Sequence, residues 1–437
     1  SGFSQLGIAK KFVQVIPNSD GSYDMQMQFT IKNTGSFTEN NLQIFDDLSN
    51  TFSSATSWTL KSNGDSGSTL TPDASNIGLT PSGDITLLAG SDSINATETK
   101  YLYLTINVFP ELNRVTYNNT ARVQNGVTSD DSVNGINVDL DNNGDPTNDS
   151  SVTPFTYPRV ALSKRLLTTT SNGDGTYDVE FELEAYNTGT QALSSVSVTD
   201  ALNGAYPKFG TYTPTGALAA GQYRVITLPS VTGAGTLTPN LSFTGSSVTE
   251  LASGSLAINT SSVIRFKIRV YPFTTNLTDY ENSSSITALG VDPDGAGALS
   301  APSVSDVSND GLTAEDSGAE NAIYNETDDN TPTLVSFSES AQIGSGLVVS
   351  SITSNGDGTY NVQYHLVIKN TGDVVLNNIS ASEDLSSIFT NAGAWEFVST
   401  ADVGSTLSAN SSISAGDSPS GAINLLGTLN SLSVGSS

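Results

Sequence analysis

The chain has 437 residues, of which 44 are acidic, 16 are basic and none is cysteine, so its net charge is −28. This charge argues against nucleic acid as a partner, because nucleic-acid binding depends on Lys and Arg neutralising phosphates, and the absence of cysteine excludes disulfides and thiolate metal sites. No apolar run approaches the roughly 18–20 residues of a membrane span, so we expect no direct membrane insertion.

The first predicted element is a strand hairpin whose second strand belongs to a motif that occurs three times. In the first copy every second residue from Tyr23 to Ile31 is apolar, a period of two that predicts a strand with one buried face. An Asn-x-Asp-Gly turn precedes this strand, an Asn-Thr-Gly turn follows it, and residues 12–16 supply the hairpin partner. The same spacing recurs around Tyr177 and Tyr360, so the length differences between copies lie in loops.

A second block recurs twice and closes the repeat. Alternating strands end at Phe109-Pro110 and at Tyr271-Pro272, and the segments 117–121 and 280–284 follow them. Between the two blocks, turn residues every 8–12 positions or so predict the short strands of a β-sandwich. No stretch shows a sustained helical period with caps, so we expect few helices.

The repeat predicts an all-β protein of tandem immunoglobulin-like β-sandwich modules in a linear array. We place the modules at 1–158, 159–338 and 339–437, the first two with Asp-rich tails. The third copy reaches Ser437 without the closing block, and we interpret the chain as a piece of a longer array.

The combined motif resembles the repeat domains that occur in many copies in giant bacterial surface adhesins. The residues behind this resemblance are Asp-Gly-x-Tyr, the alternating strand, Asn-Thr-Gly and a later acidic residue at Asp46, Asp200 or Glu383. The Asp-rich tails resemble versions common in Bacteroidota, including SprB-like gliding-motility adhesins exported by the type IX secretion system. The resemblance implies an extracellular or cell-surface protein whose partners are neighbouring repeats and the secretion and anchoring machinery.

The candidate metal site is an Asp-rich loop that we interpret as a Ca²⁺ loop, with Asp139, Asp141, Asn143 and Asp145 as its ligands. Oxygen ligands at positions 1, 3, 5 and 7 with Gly at position 6 match the first half of a calcium-binding loop. Position 12 is Ser150, so the usual bidentate Glu is missing. The alternative is a solvated, flexible linker without any ion.

Two lysines and one histidine are the other candidate reactive groups. Lys10 and Lys164 occupy matching positions in the first strand, where a Lys–Asn isopeptide bond is one interpretation, but repeat three has Leu347 there. We therefore favour ion-paired or snorkelling lysines. His365 is the only histidine, and its place on the polar strand face predicts an exposed residue. Catalytic triads and paired carboxylates lack support, so we interpret the protein as not an enzyme.

The sequence favours a structural stalk that holds a binding region away from the cell. The alternatives are modules that themselves bind glycans or abiotic surfaces, and a self-assembling surface-layer or filament protein. Against glycan binding, Trp58 and Trp395 occupy equivalent positions, which suggests core packing.

Overall fold

The computed structural model describes residues 2–111, 114–291, 301–311 and 330–437. Strands make up most of the regular structure, and the described helices are two single α-turns and one 3-10 turn at Pro146–Asn148. The predicted all-β fold of immunoglobulin-like sandwich modules is confirmed. None of the described helices is long and apolar enough to cross a membrane.

Repeat one, residues 1–158, is built from short and long strands around one α-turn, α1 (Leu48–Thr51). Its strands are β1 (Leu6–Pro17), β2 (Tyr23–Asn33), β3 (Glu39–Asn40), β4 (Gln43–Asp46), β5 (Ser57–Asn63), β6 (Ile85–Thr86), β7 (Ser93–Ile94), β8 (Thr99–Phe109), β9 (Tyr117–Asn119), β10 (Ala121–Gln124), β11 (Ser129–Asp131), β12 (Val133–Asn134) and β13 (Thr153–Phe155).

These strands form two main sheets that enclose one core. The first sheet has the order β12-β1-β2-β8-β5 and the second has the order β11-β10-β4-β6. Two short ladders, β13-β9 and β3-β7, complete the repeat. The apolar face of β2 is fully buried from Met25 to Ile31, and each such side chain contributes about 1.5–3 kcal/mol of burial free energy.

Repeat two, residues 159–338, has the same plan with longer loops. Its strands are β14 (Val160–Ser171), β15 (Tyr177–Asn187), β16 (Leu193–Asp200), β17 (Thr211–Tyr212), β18 (Gln222–Gly233), β19 (Thr238–Pro239), β20 (Glu250–Leu256), β21 (Ser261–Tyr271), β22 (Tyr280–Asn282), β23 (Ser284–Gly290), β24 (Ser303–Val307), β25 (Asn309–Asp310) and β26 (Thr333–Val335). The sheet orders are β17-β18-β21-β15-β14-β25 and β19-β20-β16-β23-β24, beside a β22-β26 ladder.

Repeat three, residues 339–437, contains the hairpin and a few short strands. These are β27 (Ile343–Ser354), β28 (Tyr360–Asn370), β29 (Leu376–Asn377), β30 (Ser382–Glu383), β31 (Ile423–Asn424) and β32 (Ser431–Leu432), with the α-turn α2 (Leu385–Ile388). Tyr360 is 64% exposed, whereas its counterparts Tyr23 and Tyr177 are 5% and 4% exposed. The described residues of this repeat include no partner strand for the free edge of β28.

The three hairpins share one register. Lys10 pairs with Phe29, Lys164 with Leu183 and Leu347 with Leu366, and each first strand carries a bulge at the same place, three residues farther along. One departure from the predicted alternation is Asp24, which is buried although it lies on the polar face. Its carboxylate pairs with Lys61 and accepts a hydrogen bond from Asn107, and these neighbours cover it.

Candidate functional site

The first candidate site is a buried cluster between the two sheets of repeat one. Lys10 on β1 places its Nζ 2.6 Å from Asp46 Oδ2 at the end of β4, and both side chains have no solvent exposure. Asn119 on β9 donates a hydrogen bond of 2.7 Å from Nδ2 to the other oxygen, Asp46 Oδ1. The rings of Phe29 and Phe155 lie 5.0 and 5.5 Å from Lys10 Nζ, so the cluster sits in an aromatic shell.

Repeat two contains an equivalent cluster. Lys164 on β14 pairs with Asp200 at the end of β16, again with both side chains fully buried. Asn282 on β22 donates to Asp200 Oδ2 at 3.4 Å, and the Ser284 hydroxyl donates to the same oxygen at 3.0 Å. The ring of Phe181 lies 4.6 Å from Lys164 Nζ. We call the two groups the Lys–Asp–Asn clusters.

Identical backbone contacts position both clusters. Thr153, opposite Asn119 in the β13-β9 ladder, donates its hydroxyl to the Lys10 carbonyl oxygen at 3.0 Å. The hydroxyl of Thr333, opposite Asn282, donates to the Lys164 carbonyl oxygen at 3.0 Å. The short asparagine-bearing ladder is therefore fastened to the lysine-bearing strand in each repeat.

Burial dominates the electrostatics of both clusters. Desolvation in the core lowers the pKa of Lys10, while the attraction of Asp46 opposes that shift, and desolvation raises the pKa of Asp46. Desolvation likewise lowers the pKa of Lys164 to about 8. These directions favour the neutral amine in both clusters and the neutral acid at Asp46.

Sequence reasoning found these residues only in part. The lysines were expected to be ion-paired or snorkelling. The structure places each lysine amine against an aspartate carboxyl group, as expected of a pair, and excludes snorkelling because both side chains are fully buried. The asparagines were missed. Asn119 and Asn282 each stand two residues after a tyrosine in the recurring closing block, and that shared position was the available signal.

The predicted calcium loop brings carboxylates together in a different set. Oxygens of Asp139, Asp141 and Asp149 lie within 4.8 Å of one another. Asn143 donates its backbone N–H to Asp141 Oδ1 at 3.1 Å, which orders the loop. Asp145 instead accepts hydrogen bonds from Gln5 at 2.8 Å and from the Thr147 hydroxyl at 2.7 Å. Asp149 was missed because it lies outside the positions of a helix-flanked calcium loop.

The recurring tyrosine and the Asn-Thr-Gly turn hold the segments between repeats. Tyr23 Oη donates to the Pro158 carbonyl oxygen at 2.7 Å, and Tyr177 Oη donates to that of Ser338 at 2.9 Å. The glycine of each turn has no room for a side chain: a Cβ on Gly189 would lie 2.4 Å from the Arg159 nitrogen. The turn therefore requires glycine because the incoming backbone packs directly on it.

The two tryptophans pack against neighbouring rings, and the histidine lies on the surface. Trp58 is buried against Phe52, with ring centroids 5.9 Å apart, as its predicted core role requires. Trp395 is half-buried and lies 5.8 Å from the Phe397 ring. His365 is exposed on β28, as predicted.

No protein-family model and no curated protein matches the sequence. Among solved structures, the chain is similar to the C-terminal domain of the antigen I/II-family protein AspA of Streptococcus pyogenes, at 10% identity and a TM-score of 0.30, over 70% of this chain and 99% of that one. It is also similar to the C-terminal domain of the antigen I/II polypeptide BspA of Streptococcus agalactiae, at 9% identity and a TM-score of 0.30, over 70% of this chain and 98% of that one. A third similar structure is the major pilin subunit BcpA of Bacillus cereus, at 6% identity and a TM-score of 0.25, over 87% of this chain and 90% of that one. These TM-scores are too low to establish a shared fold, so the fold assignment rests on the strand order and register of the chain itself.

Proposed function

We propose that the chain is a structural stalk segment of a large cell-surface or secreted bacterial adhesin or filament, and that it holds a binding region away from the cell. The observation that carries this proposal is that each segment between repeats is hydrogen-bonded on both sides. Such segments transmit orientation and load from one repeat to the next, which a stalk requires.

The first junction is held by repeat one and by repeat two. On one side, Tyr23 binds the Pro158 carbonyl, and its ring lies 5.2 Å from that of Tyr157. On the other side, Thr190 and Tyr157 exchange two hydrogen bonds, of 2.8 and 2.9 Å. Arg114 of repeat one also donates to Tyr186 Oη of repeat two at 2.5 Å. These bonds oppose bending at the junction.

The second junction is also held from both sides. Tyr177 binds the Ser338 carbonyl, and its ring lies 4.9 Å from that of Phe337. From repeat three, the Asp373 N–H donates to the Ser340 carbonyl at 3.0 Å, and the Ser340 N–H donates to the Asp373 carboxylate at 2.5 Å. The recurring tyrosine and the residue after the Asn-Thr-Gly turn thus hold the linking segment at both junctions, which supports an array. At the first junction Tyr157 meets both sides, whereas at the second Phe337 and Ser340 divide these contacts.

Charge favours an extended form as well. A net charge of −28 makes the repeats repel one another and keeps them soluble. We further propose that the Asp139, Asp141 and Asp149 carboxylates bind Ca²⁺, which is a hard cation that prefers oxygen ligands. The bound ion would stiffen the loop that leads toward the first junction.

Small-angle scattering of the full chain tests the stalk. A compact chain of this length has a radius of gyration of about 22 Å, and we expect a clearly larger value. The double variant Tyr23→Phe, Tyr177→Phe should broaden the distribution of interatomic distances, because both junctions lose a hydrogen bond. A radius near that of a globule would contradict the proposal. Strong binding on a glycan array, or lateral assembly in calcium, would favour the adhesive or filament alternatives.

A further inference from the structure

We propose that each Lys–Asp–Asn cluster forms an intramolecular isopeptide bond, between Lys10 Nζ and Asn119 Cγ in repeat one and between Lys164 Nζ and Asn282 Cγ in repeat two. Asp46 and Asp200 are the catalytic acids that move the protons. This modification is independent of the stalk proposal, since it depends only on the interior of each sandwich.

Burial is the first argument. Lys10, Asp46 and Asn119 are 0%, 1% and 4% exposed, and Lys164, Asp200 and Asn282 are 0%, 1% and 0% exposed. A buried ion pair is at best weakly stabilising, because the desolvation of both charges offsets their attraction. An amide bond removes both charges from the core, so it relieves this cost.

Repeat three shows that strand pairing does not require the lysine. Leu347 pairs with Leu366 in β27 and β28 in the register that Lys10 and Phe29 use in repeat one. An apolar residue is therefore compatible with the hairpin at this position. The lysines of repeats one and two must have a role other than forming the hairpin.

The geometry places the acid between the two reacting groups. In repeat one, Asp46 contacts the amine through Oδ2 at 2.6 Å and the carboxamide nitrogen through Oδ1 at 2.7 Å. In repeat two, Asp200 Oδ2 contacts both nitrogens. Asn119 Oδ1 and Asn282 Oδ1 are buried and accept no hydrogen bond from the described residues. The asparagine carboxamide is thus hydrogen-bonded to the acid through Nδ2, the nitrogen that would leave as ammonia.

The reaction needs no external reagent. In repeat one, burial lowers the pKa of Lys10 and raises the pKa of Asp46, which favours a neutral amine beside a neutral acid. Nζ attacks Cγ of the asparagine and forms a C–N bond, and the C=O electrons move to Oδ1. The acid protonates Nδ2, the Cγ–Nδ2 bond breaks and ammonia leaves. The carboxylate then takes a proton from Nζ, the C=O bond re-forms, and the acid is regenerated.

The bond would join the first strand of each sandwich to the short strand that follows its β8 or β21. Lys10 lies on β1, the first strand, and Asn119 lies on β9, after the long strand β8. The same holds for Lys164 on β14 and Asn282 on β22. The residues between the two joined side chains would form a closed loop, and a force applied along the chain would bypass them.

Intact mass spectrometry of the denatured full chain tests the proposal. Each bond releases one ammonia, so the mass should be about 34 Da below that expected from the sequence, or about 17 Da per bond. Tryptic digestion should yield a branched peptide that contains Lys10 and Asn119, and a second that contains Lys164 and Asn282. Lys10→Arg, Asn119→Ala or Asp46→Ala should each halve the deficit, and repeat two serves as an internal control for folding.

The chain offers a matched control in solvent. Lys61 pairs with Asp24, and Asn107 donates to the same carboxylate at 2.9 Å, but the Lys61 side chain is 53% exposed. This amine lies in solvent and is not enclosed in the core, so Lys61→Arg should leave the full deficit, and peptides with Lys61 and Asn107 should stay separate.

Three results would overturn the proposal. One is a measured intact mass equal to the mass calculated from the sequence, together with unmodified Lys10 and Lys164 peptides. Another is a deficit on an unbranched asparagine peptide that persists in Lys10→Arg, which indicates a succinimide. The third is a deficit of about 18 Da per bond with Lys10 joined to Asp46, since this releases water and consumes the acid.

Discussion

Tyr23 and Pro158 are joined by a hydrogen bond of 2.7 Å, from the tyrosine hydroxyl of repeat one to the backbone carbonyl that leads into repeat two. The residue that begins the recurring strand is thus also a junction residue. Tyr177 has the same two roles, and its hydroxyl binds the Ser338 carbonyl. The periodic motif therefore encodes the connection between repeats together with the core.

Removing this hydroxyl should loosen the first junction. Tyr23→Phe retains the ring packing against Tyr157 but loses the bond to Pro158, at a cost of about 1 kcal/mol. Limited proteolysis should cleave near residues 157–159 several-fold faster, since local opening becomes more frequent. Tyr101→Phe is the matched control, because its hydroxyl has no hydrogen-bond partner in the described residues. Equal cleavage rates for both variants would show that the bond does not hold the junction.

A methyl group on the turn glycine should disturb the junction from the other side. Gly189→Ala would place Cβ 2.4 Å from the Arg159 nitrogen and 2.7 Å from the Tyr157 carbonyl oxygen, so the backbone segment must move. We expect a loss of about 1–3 kcal/mol in the stability of repeat two, typical of overpacking. Gly346→Ala is the control, because a Cβ there meets nothing within 4 Å. Calorimetry of the full chain compares the two, and equal unfolding profiles would contradict the clash.

Local periodicity predicted the fold well, whereas the clusters required three-dimensional information. The alternation from Tyr23 to Ile31 reflects contacts within one sheet, so the sequence reports it directly. The lysine cluster combines Lys10, Asp46 and Asn119, which lie on three strands far apart in the sequence. No pattern within any one strand shows that they meet in the folded protein. The polar-face prediction failed at Asp24 for the same reason, since Lys61 covers it from another strand.

Asp130 should make the stability of repeat one depend on pH. Desolvation raises the pKa of this carboxyl to about 7 in the folded protein, although a 2.8 Å hydrogen bond from the Ile8 N–H opposes the shift. The unfolded chain has a pKa of about 3.9, so between these values only the folded protein keeps the proton. The free energy of unfolding should therefore fall as pH rises from 5 to 8, by about 1–2 kcal/mol after allowance for solvent.

The variant Asp130→Asn tests this dependence. The amide cannot ionise but still accepts from Ile8, so its unfolding free energy should change less between pH 5 and 8 than that of the parent. Trp58 fluorescence during urea unfolding reports on repeat one in a Trp395→Phe background, because the chain has two tryptophans. Asp131→Asn, at the exposed neighbour, is the control. An equal pH slope in Asp130→Asn and the parent would refute the assignment.

Calcium should stabilise repeat one through the acidic loop. If Asp139, Asp141 and Asp149 hold the ion, free Ca²⁺ at a hundredfold excess over Kd should add about 2.7 kcal/mol to the free energy of unfolding. The same Trp58 measurement detects it, with and without a chelator. Asp149→Ala should abolish the gain, whereas Asp145→Ala should retain it, because Asp145 is bound to Gln5 and Thr147. If Asp145→Ala abolishes the gain and Asp149→Ala retains it, the result supports the ligand set predicted from the sequence. If calcium does not stabilise even the parent chain, the loop is a solvated linker without an ion.

An isopeptide bond should shorten the length by which repeat one extends when it is unfolded by force. Because Lys10 would be joined to Asn119, about 110 residues would be shielded from a force applied between the chain termini, and only the remainder of the repeat would extend. Lys10→Arg releases these residues, so the unfolding step should lengthen by about 380 Å, at about 3.5 Å per residue. Single-molecule force spectroscopy measures this step directly, and the step of repeat two should stay unchanged in the same molecule. Steps of equal length in the parent and in Lys10→Arg would mean that load passes through the entire sandwich, as expected of an ion pair alone.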